Sequence, residues 1–299
     1  MAKPTEVEGL SAQTPLAEAA RLLTAARLAD ARRYLELVQR DCDEVEAVHD
    51  LRVAMRRLRA ALGLCGPALH GEEREAKRLQ DALGAVRDAQ LQIEWLGEAL
   101  LSVTERPGGR ARQRDALAAL IEHRQDDLRR AQKRLLEALR RWRETEPRLL
   151  GALETLECKG KLGGHRVRAR LRRRLKALRK RMRDAAASLR AEVAHALRIA
   201  VKKLRYDAEL VRPALQQQVG AVLEAVEPLQ ELLGNLHDAD VRLEFLEEAA
   251  ARWPDTRDGV EDLRISEMTR RGQLAHELAG RLAQWGEDAK MKQLRALFR

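Results

Sequence analysis

Aromatic residues make up only 3% of this 299-residue chain, and cysteine occurs three times. So few aromatics, none interleaved with the basic stretches, leave no stacking platform of the kind that holds single-stranded nucleic acid. Cys42, Cys65 and Cys158 form no C-x-x-C pair, and their odd number does not suggest a disulfide framework. Cys65 continues the apolar stripe of its helix and is expected to serve packing. No uninterrupted apolar run approaches the roughly 18 to 20 residues of a membrane span, and Lys3, Glu6 and Glu8 open the chain without the apolar core of a leader peptide. A soluble, cytoplasmic protein is expected. β-Branched runs with period two are scarce, which excludes a convincing strand. There is no P-loop, no cysteine nucleophile and no Ser-His-Asp pattern, so nothing gives enzymatic chemistry a foothold.

What is abundant is Ala, Leu, Arg and Glu, a composition of helix formers. The formal net charge is +10, and it is not spread evenly. Arg166 to Arg183 holds eleven basic residues and no acid, so the rest of the chain sums to minus one. An acidic partner is implied, and the charge that would meet it is focused.

One phrase occurs twice. His49-x-x-Arg52-Val53-Ala54-x-Arg56-Arg57-Leu58-Arg59 returns 146 positions later as His195-x-x-Arg198-Ile199-Ala200-x-Lys202-Lys203-Leu204-Arg205. A second echo follows at an offset of 150, where Leu79-Gln80-x-x-Leu83-Gly84-x-x-x-Asp88-Ala89 matches Leu229-Gln230-x-x-Leu233-Gly234-x-x-x-Asp238-Ala239. At about 100° per residue, His49, Arg52, Arg56 and Arg59 share a sector roughly 80° wide. Leu51, Met55, Leu58 and Leu62 form the apolar stripe beside it. The second copy repeats this phasing, with His195, Arg198, Lys202 and Arg205 beside Leu197, Val201, Leu204 and Ala208. A generic solvated face mixes signs for i, i+4 pairing. These ridges carry almost no acid, so each reads as half of an anion-binding surface.

The chain divides into two similar halves. Residues 1–13 read as a flexible tail, 14–150 as a first four-helix bundle, 160–290 as a second, and 291–299 as a C-terminal end. The predicted helices are 15–41, 47–66, 72 to past 101, one reaching about 144, then 165–187, 191–212, 217–252, 257–285 and a short one from about 287. Pro67 and Pro213 end the two signature helices, Arg106-Pro107-Gly108-Gly109 breaks the first half, and the Pro- and Gly-rich stretch 145–164 marks the boundary. The fold class is all-α, two four-helix bundles related by an internal pseudo-twofold. On the 166–183 helix, Val167, Leu171, Leu175, Leu178 and Met182 form one stripe, so it is anchored rather than a disordered basic tail. Packed beside its neighbour, it would turn Arg172, Arg173, Lys176 and Lys180 toward His195, Arg198 and Lys202 in a shared polyanion groove.

The paired His-x-x-Arg helices, the Lys203-Leu204-Arg205-Tyr206 ending and the twin Leu-Gln-x-x-Leu-Gly strings resemble the CHAD (conserved histidine α-helical domain) family over roughly residues 14–290. That resemblance implies a pair of four-helix bundles whose basic central groove binds inorganic polyphosphate, often in association with polyphosphate granules. Carried onto this chain, it picks out His49, Arg52, Arg56, Arg57 and Arg59 in one copy and His195, Arg198, Lys202, Lys203 and Arg205 in the other. Arg87 and His237 occupy matched positions with different residues, so the halves need not contribute equally. CHAD domains are often fused to a CYTH-type triphosphatase, whose E-x-E-x-K strand Glu6-Val7-Glu8-Gly9-Leu10 does not complete.

Polyphosphate suits multivalent contact, with arginine forking onto two oxygens and lysine acting as a point charge. No catalysis, cofactor or metal is expected. His49 and His195 are expected to gain charge near pH 6, strengthening binding from pH 8 to pH 6. Asp88 and Asp238 read as orienting groups or helix caps, and His70, His123, His165 and His276 receive no role. Two rivals stand beside this reading. One is a nucleic-acid protein laying the 166–183 helix along a phosphate backbone. The other is an HD-type phosphohydrolase built on His49-Asp50 and His237-Asp238 with Asp240, which the surrounding Arg and Lys disfavour because they repel a divalent cation. A scaffold that uses polyphosphate only as a tether, recruiting partners through the acidic helix around Glu224 to Glu248, is a third reading.

Overall fold

In the computed structural model, residues 3–104, 111–285 and 289–298 of the chain are described. Among them the regular structure is helical: α1 Leu16–Arg40, α2 Val45–Leu62, α3 His70–Thr104, α4 Ala111–Glu154, α5 His165–Ala187, α6 Ala191–Val211, α7 Gln216–Arg252, α8 Arg257–Gln284 and α9 Ala289–Ala296. A 3₁₀ segment, Gly63–Leu69, joins α2 to α3. One isolated bridge between Pro15 and Lys161 is the nearest approach to a strand among the described residues. The predicted break at Arg106–Gly109 lies outside them.

The apolar stripes read from the sequence are the buried ones. Leu51, Met55, Leu58 and Leu62 of α2, and Leu197, Val201, Leu204 and Ala208 of α6, are at most 1% exposed. On α5, Val167, Leu171, Leu175, Leu178 and Met182 are buried while the basic residues stand around them. Helix α1 packs on α2, α2 on α3, α3 on α4, and α4 returns to α1, closing a four-helix bundle. Helices α5 to α8 repeat that order of neighbours. The bundles meet where α2 lies against α6 and α4 against α8, and one apolar core runs through both. A smaller cluster around Trp95, Leu117, Phe245 and Val260 fills the ends of α3, α4, α7 and α8.

Five local expectations change. Helix α2 stops at Leu62 rather than at Gly66, and Pro67 falls inside the 3₁₀ segment that follows it. Helix α4 does not stop near Glu144 but runs to Glu154 with Pro147 inside it. Pro147 is exposed, so the missing N–H falls on the solvent side, while Leu149 and Leu153 continue the buried stripe of Leu139 and Trp142.

The N-terminal segment is tied down, not loose. The Thr5 backbone N–H and hydroxyl donate to the Asp30 carboxylate at 3.1 and 2.5 Å, and Arg27 donates to the Thr5 carbonyl at 2.5 Å and to Asp30 at 2.7 Å. Arg27 and Asp30 are both buried, and an ion pair out of water needs its remaining donors and acceptors filled. Further on, the N–H groups of Leu162 and Gly163 donate to the Thr14 and Ala12 carbonyls. Gly163 makes that approach possible, since a Cβ there would lie 2.6 Å from the Ala12 Cβ.

Cys65 does more than pack. It is disulfide-bonded to Cys158, with Cα atoms 5.7 Å apart across 93 residues of sequence. The bond ties the 3₁₀ segment to the loop that leads into α5. Spacing rules see local pairs, and this one is made by two segments that only the fold brings together. Finally, Arg172 donates to the Phe298 carbonyl at 2.9 Å, so it holds the C-terminal end in place.

Candidate functional site

Between the two bundles lies a cavity of about 380 Å³. Helix α2 contributes His49, Arg52, Val53 and Arg56, and α6 contributes Arg198, Lys202, Arg205 and Tyr206. Helix α3 closes it with Arg87, Asp88, Leu91 and Gln92, and α7 with Gln230, His237, Asp238, Val241 and Arg242. The basic faces come together because burying the neighbouring leucine stripes of α2 and α6 leaves the sectors a third of a turn away facing one space. Gly84 of the first Leu-Gln-x-x-Leu-Gly string helps, because a Cβ there would sit 3.4 Å from the Arg52 guanidinium. Gly234, its match, meets nothing.

The walls hold polar atoms whose hydrogen-bonding capacity is unused. Buried and without a partner are Nε of Arg52, Nε and Nη1 of Arg87, Nε of Arg198, and the side-chain oxygens of Gln92 and Gln230. Such groups cost about 1 to 3 kcal/mol each when nothing satisfies them, more when charged. Some cations do have partners. Arg56 donates to the Tyr206 hydroxyl at 3.3 Å, Arg205 to Glu209 at 2.7 Å, and Arg242 to Glu267 at 3.1 Å while lying over the Trp95 ring.

Burial and crowding of like charges push the basic groups toward their neutral forms. Burial first, then Arg198, Arg56 and Arg52, hold the Lys202 ammonium down to about 6. Arg198 itself is lowered to about 10, chiefly by burial. The His237 ring is driven down to about 3 by burial, with Arg198 and His195 adding to it. His49 and His195 are also lowered, burial leading and Arg87 and Arg198 respectively following. The lowering of His49 and His195 runs against the expectation that they gain charge near pH 6, and Lys202 is the basic group brought down toward that range. Three or more His, Cys, Asp or Glu side chains do not gather as a metal-ligand set among the described residues.

Of the residues singled out from the sequence, His49, Arg52, Arg56, Arg87, Arg198, Lys202, Arg205 and His237 line the cavity. His195 stands next to it, its ring tilted on His237 with centroids 5.2 Å apart. Arg57 turns to the buried side, 3.7 Å from Glu209, and Arg59 is taken by Glu73 and Gln80 at 2.6 and 3.0 Å. Lys203, Lys176 and Lys180 are exposed outside the cavity. Arg173 stands at a separate pocket on α5, and none of the α5 residues reaches the cavity walls.

The sequence reading missed Gln92, Tyr206 and Arg242 as cavity residues. A signal for two of them existed. Extending the second echo by one helical turn at the same offset pairs Leu91-Gln92 with Val241-Arg242. Tyr206 has no such marker, because its match in the first copy is Ala60.

A family model described as CHAD domain matches residues 22–247. The crystal structure of the CHAD domain from the plant Ricinus communis superposes with a TM-score of 0.63 at 24% identity, covering all of this chain and 96% of that one. PptA from Streptomyces chartreusis superposes with a TM-score of 0.64 at 18% identity, over 91% of this chain and all of that one. At these identities the likeness is one of fold. No curated protein matches the chain.

Proposed function

The chain belongs to the CHAD family, and from that premise we propose that it binds inorganic polyphosphate in the cavity between its bundles, without catalysis. One observation carries the proposal: the cavity wall holds partnerless, buried guanidinium nitrogens from three helices, Arg52, Arg87 and Arg198, aligned with a lysine held at about 6. An apo site built this way stores unfavourable self-repulsion. A linear polyanion with oxygens on every side relieves it, taking forked hydrogen bonds from arginine and drawing a proton onto Lys202.

Gln92 and Gln230 add neutral amide donors, which bind phosphate oxygens without further like-charge repulsion. Asp88 and Asp238 face the same space and temper the charge near Arg52 and Arg198. A duplex favours an open surface that follows its backbone, whereas this site is recessed between four helices, which supports an unsubstituted phosphate chain over nucleic acid. Location in the cytoplasm and association with polyphosphate granules are part of the same proposal. No helix among the described residues is long and apolar enough to cross a membrane.

The test is titration of purified protein with long-chain polyphosphate over a salt series, beside duplex DNA and RNA at equal phosphate concentration. The unaltered protein is expected to prefer polyphosphate, with affinity falling steeply as salt rises. A variant with Arg52, Arg56, Arg198 and Lys202 all changed to Ala is expected to lose that binding, with thermal melting as a check that it still folds. Equal displacement by duplex, retained binding by the variant, or phosphate release during the titration would each overturn part of this reading.

A further inference from the structure

Positions 60 and 63 of the chain fall on the same helical face as His49, Arg52 and Arg56, at about 100° per residue. That face does not end at the central cavity. About 10 Å further along, by the 1.5 Å rise per residue, it reaches a second pocket of about 420 Å³ where the 3₁₀ segment meets the first turns of α5. We propose that this pocket is a second anion subsite, and that only a long polyphosphate chain occupies it and the central cavity together. The inference rests on the polyphosphate reading of the central cavity.

Arginine dominates the second pocket, with Arg166, Arg170, Arg173 and Arg174 in its wall. Among the described residues the carboxylate that pairs with these guanidiniums is Asp207, which is buried and accepts from Arg170 at 2.6 and 2.9 Å and from Arg174 at 2.7 Å. The pocket therefore keeps a strong positive excess after its internal pairing. Arg170 also donates to the Gly63 carbonyl and, at 3.4 Å, to that of Ala60. Both carbonyls come from residues on the face that runs on from the central cavity, which places the Arg170 guanidinium at the near side of the second pocket.

Two glycines shape the pocket. A Cβ on Gly63 would lie 3.2 Å from Arg170, and one on Gly66 would lie 3.0 Å from Arg166. Gly66 also has φ +79, a conformation L side chains rarely adopt. Arg166 donates to the Cys65 carbonyl at 3.3 Å, and the Cys65–Cys158 bond ties this turn to the chain entering α5. The guanidiniums are thus held against a stapled backbone rather than spread along a free helix face. An extended ligand that reaches both pockets gains through effective concentration, whereas one confined to the central cavity does not.

Chain length separates the two readings. Tripolyphosphate and long-chain polyphosphate would be titrated into the unaltered protein and into an Arg166→Ala, Arg173→Ala double variant, with thermal melting as a check on folding. Both substituted residues are exposed, and Arg173→Glu alone serves if the double variant melts early. Expected is tripolyphosphate affinity unchanged within about twofold and long-chain affinity reduced at least about tenfold, with a shallower salt dependence. Unchanged long-chain affinity, or an equal loss for both probes, would overturn the second subsite. If the unaltered protein bound neither probe, the central-cavity reading would fall instead, and this one with it.

Discussion

The Arg56 guanidinium donates to the Tyr206 hydroxyl at 3.3 Å, linking the signature helix of one bundle to that of the other across the cavity floor. The matched position in the first copy is Ala60, so this tie is one-sided. Tyr206→Phe keeps the ring and removes the acceptor. Stability is expected to fall by about 0.5 to 1.5 kcal/mol, and polyphosphate affinity by a few fold, as Arg56 loses its fixed orientation. Urea unfolding and calorimetric titration measure the two effects.

Lys202 makes binding proton-linked. With its ammonium held at about 6, the unliganded protein carries a neutral amine at pH 7 to 8, and a bound polyanion raises that value. Affinity is therefore expected to increase as pH falls from 8 toward 6 and to level off below 6. Titration in buffers of different ionisation enthalpy would register proton uptake at pH 7.5, absent in Lys202→Met. His49, His195 and His237 are all lowered, by burial first and then by neighbouring cations.

The same group shapes stability without ligand. Its unfolded value of 10.5 exceeds the folded one, so the unfolded chain binds more protons between about pH 6 and 10.5, and its contribution to stability rises with pH across that range. Lys202→Met is expected to raise the melting point at pH 6 to 7, a gain of about 1 kcal/mol or more. A lower melting point in the variant would show that the lysine is not under repulsion.

The Cys65–Cys158 bond spans 93 residues, so opening it frees a long loop in the unfolded chain. Cys158→Ser is expected to destabilise the protein by about 2 to 5 kcal/mol. Chemical unfolding with and without a thiol reductant checks this, since the reductant should affect the unaltered protein and leave the variant unmoved.

Asp30 receives Arg27 and Thr5 together. Asp30→Ala leaves the buried Arg27 charge without its carboxylate, and a loss of about 3 to 5 kcal/mol is expected. Proteolysis near Thr5 should accelerate in the variant, because the same carboxylate holds the N-terminal segment on α1.

Most helix boundaries were legible where a leucine stripe marked the helix, but Pro67 and Pro147 do not end the helices they are expected to end. The range 165–187 expected for α5 is the one observed, and α6 and α7 end within a residue or so of expectation. Pro147 misled because a proline stops a helix only if the carbonyl it strands has no other outlet, and here that outlet is solvent. The α5 residues misled for another reason. Periodicity shows which side of a helix is basic but not what that side faces, and Arg172, on the basic side of α5, holds the C-terminal end instead of facing the groove.

By itself the sequence determined the all-helical class, the two buried stripes beside the two basic ridges, and eight of the basic positions that line the cavity, His49, Arg52, Arg56, Arg87, Arg198, Lys202, Arg205 and His237. These follow from a 3.6-residue period, which is local and readable along one chain. Only the tertiary structure decided which basic groups share one space and which are already paired, and with that which of them titrates. Lys202 is held down to about 6 because burial first, and then Arg198, Arg56 and Arg52 from the two bundles, disfavour its charge, and the Cys65–Cys158 bond joins segments 93 residues apart. Charge and desolvation act through space, and the sequence alone does not contain those distances.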